Sequence, residues 1–207
     1  EILGVVLGLS GDIANSRKAF EKALSIESRR WTAMVKLGDL AYAEKQLKQA
    51  EAHYRAAAAI NPADGQLAQR LGLIEVANGN LTAAASQFEK GVAVLQDDVV
   101  SVRPYLGAIY NLRGEYQRTL DLFKSVPLDK VKHYAAYMVV AEAKFRLGKT
   151  AEALALLEKA RAAAPRNPAP WLMTGRIARQ AGDYRLAISA LTESLRLRPN
   201  APGTEME

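Results

Sequence analysis

The sequence contains no cysteine. This excludes disulfides, thiolate metal sites and cysteine nucleophiles at a stroke. Histidine is nearly absent as well: His53 and His133 are the only two. Neither has a second histidine or a carboxylate at ligand spacing, so the residues offer no metal site. Long apolar runs are also missing, and none approaches the roughly 18 residues of a membrane span. The apolar stretch Ile2 to Leu9 is short and interrupted by Gly4 and Gly8. It carries neither a basic leader nor a small-residue cleavage site, and so does not read as a signal peptide. The chain opens on Glu1, and it reads as a piece of a longer polypeptide.

What is present is ordinary for a folded protein. Hydrophobic residues make up 49% and charged residues 24% of the 207 positions, far from the composition of a disordered chain. The net charge of +6 is moderately basic. It permits acidic partners but lacks the dense basic stripe of a nucleic-acid binder. The charge is unevenly spread: each stretch 100–133, 134–167 and 168–201 carries +3, and 65–99 carries −2. Many of the basic residues alternate with acids, as in Glu152, Glu158, Lys159 and Arg161, which is the pattern of a solvated face.

The strongest signal is internal repetition. Gly4, Gly38, Gly72, Gly107, Ala141 and Gly175 recur every 34 or 35 residues. Phe20, Tyr54, Phe88, Phe123, Leu157 and Leu191 run in step with them, as do Ser16, Ala50, Ala84, Thr119, Ala153 and Ala187. A turn series follows the same register: Gly11, Lys45, Gly79, Gly114, Gly148 and Gly182. Pro62, Pro165 and Pro199 close three of the units. Each series has a physical reading. A first helix ends near the turn glycine, where a left-handed residue is cheap. A second helix runs on until proline stops it. A small residue where two helices cross, with a large one beneath, lets antiparallel helices approach to about 8–10 Å. One hairpin cannot bury its apolar face alone, so neighbours stack.

These residues resemble the tetratricopeptide repeat. The last unit reads Trp171, Gly175, Ala178, Gly182-Asp183-Tyr184, Ala187, Leu191 and Pro199, with Thr174 and Ala178 in place of the family's leucine and tyrosine. The unit 31–64 carries Leu37-Gly38, Ala50, Tyr54, Ala57 and Pro62, with Lys45 replacing the turn glycine. The resemblance implies an all-α fold: a right-handed superhelical solenoid of stacked antiparallel helix–turn–helix repeats. The expected domain spans 1–201 as units 1–30, 31–64, 65–99, 100–133, 134–167 and 168–201, followed by a tail at 202–207. The unit 100–133 departs most. Pro104 suits the first turn of a helix starting near Val102. Pro127 falls inside the expected second helix, which should end near Lys124–Ser125 and give way to an extended or irregular link through Leu128–Asp129.

The resemblance also implies that first helices line a concave side that holds the ligand. The corresponding positions begin with Val35, Lys36, Asp39 and Tyr42, then Gln69, Arg70, Leu73 and Val76. They continue with Tyr105, Ala108 and Asn111, then Met138, Glu142 and Phe145, and end with Leu172, Arg176 and Arg179. Tyr42, Tyr105 and Phe145 offer apolar stacking, or else pack between neighbouring first helices. Asn111 offers hydrogen bonds to a backbone, and Arg176 and Arg179 offer a carboxylate clamp. Lys36 and Arg70 have no accompanying asparagine, so the carboxylate grip of the chaperone-binding members is not expected.

Other motifs dissolve on inspection. Gly148-Lys149-Thr150 ends like a phosphate-binding loop, but position 143 is alanine and the segment joins two helices. Asn80-Leu81-Thr82 fits a glycosylation acceptor, yet Asn78-Gly79-Asn80 is explained as a turn. The reading is therefore a non-catalytic scaffold that binds a peptide, helix or partner domain, with no cofactor, metal or nucleic acid. Family analogy adds a bacterial envelope assembly for secretion, pili or exopolysaccharide, and leaves the compartment open between envelope and cytoplasm. Two alternatives stand beside it. One is a regulatory or substrate-selecting arm of a larger enzyme such as a glycosyltransferase. The other is a self-assembly module using the apolar start Ile2, Leu3, Val5 and Val6.

Overall fold

A computed structural model describes residues 1–95 and 102–198. Pro199 and the tail lie outside the described residues, as do the boundaries expected near 99 and 201. The described residues form thirteen α-helices and no strand. The chain divides into two compact units, Glu1–Asp98 and Val99–Glu207.

The first unit holds three helical hairpins. They are α1 (Ile2–Leu9) with α2 (Ile13–Ile26), α3 (Trp31–Ala43) with α4 (Leu47–Ile60), and α5 (Gly65–Ala77) with α6 (Leu81–Val94). The second unit holds α7 (Arg103–Leu112) with α8 (Tyr116–Leu122), the one-turn α9 (Leu128–Val131), α10 (Tyr134–Arg146) with α11 (Thr150–Ala163), and α12 (Pro168–Gln180) with α13 (Tyr184–Arg196).

The sequence periodicities map onto specific contacts. An added Cβ on Gly38 would stand 2.4 Å from the ring of Tyr54, and one on Gly72 equally close to Phe88. Leu191 covers Gly175 in the same way. A methyl group at these crossings would force the hairpin apart, an overpacking cost of about 1–3 kcal/mol. The large residues are fully enclosed, with Phe20, Tyr54, Phe88 and Leu157 all at or below 2% exposure.

The turn series is left-handed throughout. Gly79 has φ +78° and Lys45, the one departure from glycine, has φ +62°. Both turns close with the same pair of bonds. Gly79 and Asn80 donate to the carbonyls of Val76 and Glu75, as Lys45 and Gln46 do to those of Tyr42 and Ala41. Lys45 thus accepts a conformation that costs an L-residue about 1 kcal/mol or more. Helix starts are capped where the sequence supplies an acceptor. The side chains of Asp12, Asp64, Asn167 and Asp183 accept backbone N–H bonds at the heads of α2, α5, α12 and α13.

The hairpin α7–α8 is the irregular one. Pro104 sits in the first turn of α7 after the cap Val102, where a missing N–H costs nothing. The second helix α8 ends at Leu122, slightly before the expected Lys124–Ser125. In place of the expected extended or irregular link, Leu128–Asp129 begin the one-turn helix α9. Pro127 supplies the turn into it: Lys130 N–H donates to the Pro127 carbonyl at 2.8 Å. The short helix is held from outside its own sequence. The Tyr137 hydroxyl donates to the Leu128 carbonyl at 2.7 Å, and Lys159 pairs with Asp129. Leu128 also packs against a core of Phe123, Val126, Ala136 and Val140. Proline shortens α8 without opening the core beneath it.

Candidate interaction grooves

Each unit carries a groove between its first helices, and the two differ in chemistry. In the first unit, α3 and α5 flank a cavity of about 340 Å³ lined by Asp39, Tyr42, Gln69, Arg70 and Leu73, with Tyr54 at its floor. Its centre is Asp39. The Arg70 guanidinium donates to both carboxylate oxygens, at 2.7 Å from Nε and 3.2 Å from the terminal nitrogen. The Tyr54 hydroxyl donates to Asp39 Oδ1 at 2.9 Å. Lys36 stands 3.9 Å from the other oxygen. Burial, reinforced by the Asp39 charge, pushes the Tyr54 phenol well above its ordinary range. Burial works against the Arg70 charge, but the bond to Asp39 and the Asp39 charge, with smaller help from Tyr54 and Asp64, together outweigh it and the guanidinium is held more firmly protonated. The polar groups here are committed to one another, joining α3, α4 and α5.

In the second unit, α7, α8, α10 and α12 enclose a larger cavity of about 630 Å³. Its apolar wall comes from Leu112, Tyr134, Met138, Val139 and Met173. Asn111 lies on this wall, but both ends of its amide are occupied within the protein. Its Nδ2 donates to the Val139 carbonyl at 2.9 Å, and its Oδ1 accepts from Thr119 at 2.8 Å. It therefore fastens α7 and α8 to α10. Glu142 accepts from Arg146 at 2.8 Å along one face of α10. Arg176 is exposed at the edge of the cavity and has no hydrogen-bond or ion-pair partner among the described residues.

The remaining sequence-derived positions fall in different places. Tyr42 and Tyr105 are 39% and 42% exposed, and Tyr105 lies on α7 away from the cavity lining. Phe145 is half-buried and packs against Ala141, Leu157 and Ile177. Val35 is buried, Val76 is exposed, and Arg179 is exposed in the last turn of α12. Eight lining residues of the larger cavity were not expected, among them Leu112, Tyr116, Tyr134, Val139 and Met173. Met173 stands one turn before Arg176 on the same face, and that spacing was readable. Tyr116 lies on a second helix, which a reading confined to first helices passes over.

Among the described residues no three His, Asp or Glu side chains gather as a metal site. No helix there is long and apolar enough to cross a membrane.

Repeated hairpins of 34 or 35 residues, with grooves along their first helices, define a helical-repeat protein-interaction scaffold. A profile of the tetratricopeptide repeat matches residues 4–65 and 133–202, and the chain belongs to that family. The stretch between the two matches contains the shortened hairpin α7–α8. No functionally curated protein matches the sequence. Several solved structures share the fold. One is a chain of the APC/C hetero-tetramer Cut9–Hcn1, with TM-score 0.79 and 19% identity over 97% of this chain and 39% of that one. This chain thus spans about two fifths of that relative. PilW, a widely conserved type IV pilus biogenesis factor, aligns with TM-score 0.77 and 16% identity over 98% of this chain and 92% of PilW. YrrB, a tetratricopeptide-repeat protein with an unusual peptide-binding site, aligns with TM-score 0.68 and 16% identity over 89% and 95%.

Proposed function

We propose that the chain is a non-catalytic adaptor that holds a peptide segment or short helix in the groove of its second unit. The observation that carries this is the contrast within that groove: an apolar wall beside one guanidinium with no partner among the described residues. Met138 and Met173 adapt to varied apolar side chains because methionine is flexible and polarisable. Arg176 is placed at the rim to receive a carboxylate in bidentate fashion. The occupant is therefore a segment that offers a bulky apolar side chain with an acidic group close by. The pairing of Glu142 with Arg146 leaves the groove with a net positive charge, which favours the same occupant.

The first unit's groove serves mainly to hold its own hairpins together, since Asp39 already satisfies Arg70 and Tyr54. The likeness to PilW and to YrrB supports a place in an assembly built on peptide contacts, with a bacterial envelope machine such as a pilus as the setting.

The test is a selection of peptides from a random display library on the intact chain, followed by affinity measurement on variants. Arg176→Glu and Met138→Ala should each weaken the selected peptides about tenfold or more. Lys36→Glu, in the first unit, should change nothing. Peptides insensitive to both groove variants, with helicity intact, would remove the site from this groove.

A further inference from the structure

Asp39, Glu142 and Arg176 share one register position, each directly after a crossing residue: Gly38, Ala141 or Gly175. In the first unit the acid at this position is met from the next first helix. Asp39 of α3 accepts from Arg70 of α5, and the pair bridges the two helices. In the second unit the acid is met from its own helix. Glu142 accepts from Arg146 Nε at 2.8 Å, one turn further along α10.

The next first helix nevertheless offers a guanidinium. Met138, Ala141 and Phe145 of α10 pack in one core with Met173 and Ile177 of α12. Glu142 follows Ala141 and Arg176 precedes Ile177 in the chain, and both line the larger cavity together with Arg146. Helices packed in this way run about 8–10 Å apart. Glutamate and arginine are long enough together to span that gap. Two guanidiniums therefore compete for one carboxylate, and Arg146 holds it. The i,i+4 spacing presets that pair, with the acid N-terminal to the base, which is the favoured order. A bridge to Arg176 would instead have to immobilise two long side chains across a wet gap.

We propose that Arg146 is a positioning residue for the second unit's groove. By holding Glu142 on α10 it keeps that carboxylate off Arg176, and so leaves Arg176 open. Its effect on binding rests on the reading that Arg176 receives the occupant's acidic group. Without Arg146, Arg176 is the one guanidinium left on the cavity lining, and Glu142 turns to it. The second groove then closes its charges on themselves, as the first does through Asp39 and Arg70.

Two readouts on the intact chain test this. The first needs no ligand: the side-chain Nε–H resonances of Arg146 and Arg176, followed by NMR. In the unaltered protein, Glu142→Gln should move the Arg146 resonance and leave that of Arg176 in place. In the Arg146→Ala protein, the same Glu142→Gln change should move the Arg176 resonance. An Arg176 resonance indifferent to Glu142 in both backgrounds overturns the proposal. The second readout is the affinity of a peptide selected on the chain from a random display library. Arg146→Ala should weaken it about threefold to fivefold, the strength of one exposed ion pair. Arg146→Lys keeps the i,i+4 pair and should restore the affinity. On an Arg176→Gln background, Arg146→Ala should add no further loss. An equal loss on both backgrounds overturns the proposal, because Arg146 would then act on the peptide directly. A peptide that ignores Arg176→Gln altogether refutes the groove reading instead, and the resonances still decide whether Arg146 holds Glu142. Arg146 and Arg176 are exposed and Glu142 is partly so, and circular dichroism should report unchanged helicity in every variant.

Discussion

The two grooves are built from equivalent helices yet use their polar residues differently. In the first unit, Asp39 binds Arg70 and Tyr54, and these bonds tie three helices together. In the second, Asn111 does the internal fastening, and Arg176 at the rim has no partner among the described residues. The first cavity is about 340 Å³ and the second about 630 Å³. The same repeat thus yields one groove whose charges stabilise the fold and one whose charge is available. In the first unit Asp39 of α3 pairs with Arg70 of α5, while at the same register position in the second unit Glu142 of α10 pairs with Arg146 on its own helix.

The cores beneath the grooves should not differ, and the largest effects belong there. Phe88→Ala in the first unit and Phe123→Ala in the second should each cost about 3–5 kcal/mol, measured by chemical denaturation. Both rings are buried, at 0% and 4% exposure. A much smaller loss at Phe123 would mean that the shortened α8 leaves its hairpin loosely packed. The grooves themselves should separate the units. Asp39→Ala strands Arg70 and Tyr54, and because the group is partly exposed the loss should be roughly 2 kcal/mol. Glu142→Ala in the second unit breaks an exposed pair one turn apart and should cost about 0.3–0.5 kcal/mol. Equal losses would erase the distinction between a structural groove and an open one.

Turn chemistry gives a smaller effect with the opposite sign. Lys45→Gly relieves the only left-handed non-glycine turn among the six hairpins and should stabilise the first unit by up to about 1 kcal/mol. Gly148→Lys should destabilise the second by a similar amount. The smallest effect is a pH dependence confined to the first unit. Burial, assisted by the Arg17 charge and opposed by Glu21, lowers the pKa of His53 below its ordinary 6.5. The fold favours the neutral ring, so this contribution is complete above about pH 6.5 and fades as the pH falls through that value. His53→Gln should flatten the fall in melting temperature between about pH 7 and 5.

Much of the fold was legible in the residues because each periodic series answers one local constraint. Gly38 and Gly72 mark the helix crossings, Tyr54 and Phe88 fill them, and the turn residues mark the left-handed position. The one-turn helix α9 was not legible. Its formation depends on Tyr137 and Lys159, which reach Leu128 and Asp129 from other helices. The grooves were half legible. Their location follows from the register, and Met138, Glu142 and Arg176 fall in the larger cavity. Which polar groups are spent internally could not be read. Asp39 and Arg70 lie 31 residues apart, and Asn111 bonds a carbonyl 28 residues away. Such pairings are set by how neighbouring hairpins stack rather than by any local pattern.

Amide hydrogen exchange of the intact chain, with and without a selected peptide, tests the central claim most directly. If the second unit's groove is the binding site, added protection will concentrate in α10 and α12 while α3 and α5 remain unchanged. Protection confined to α3 and α5, with α10 and α12 unaffected, would contradict the account.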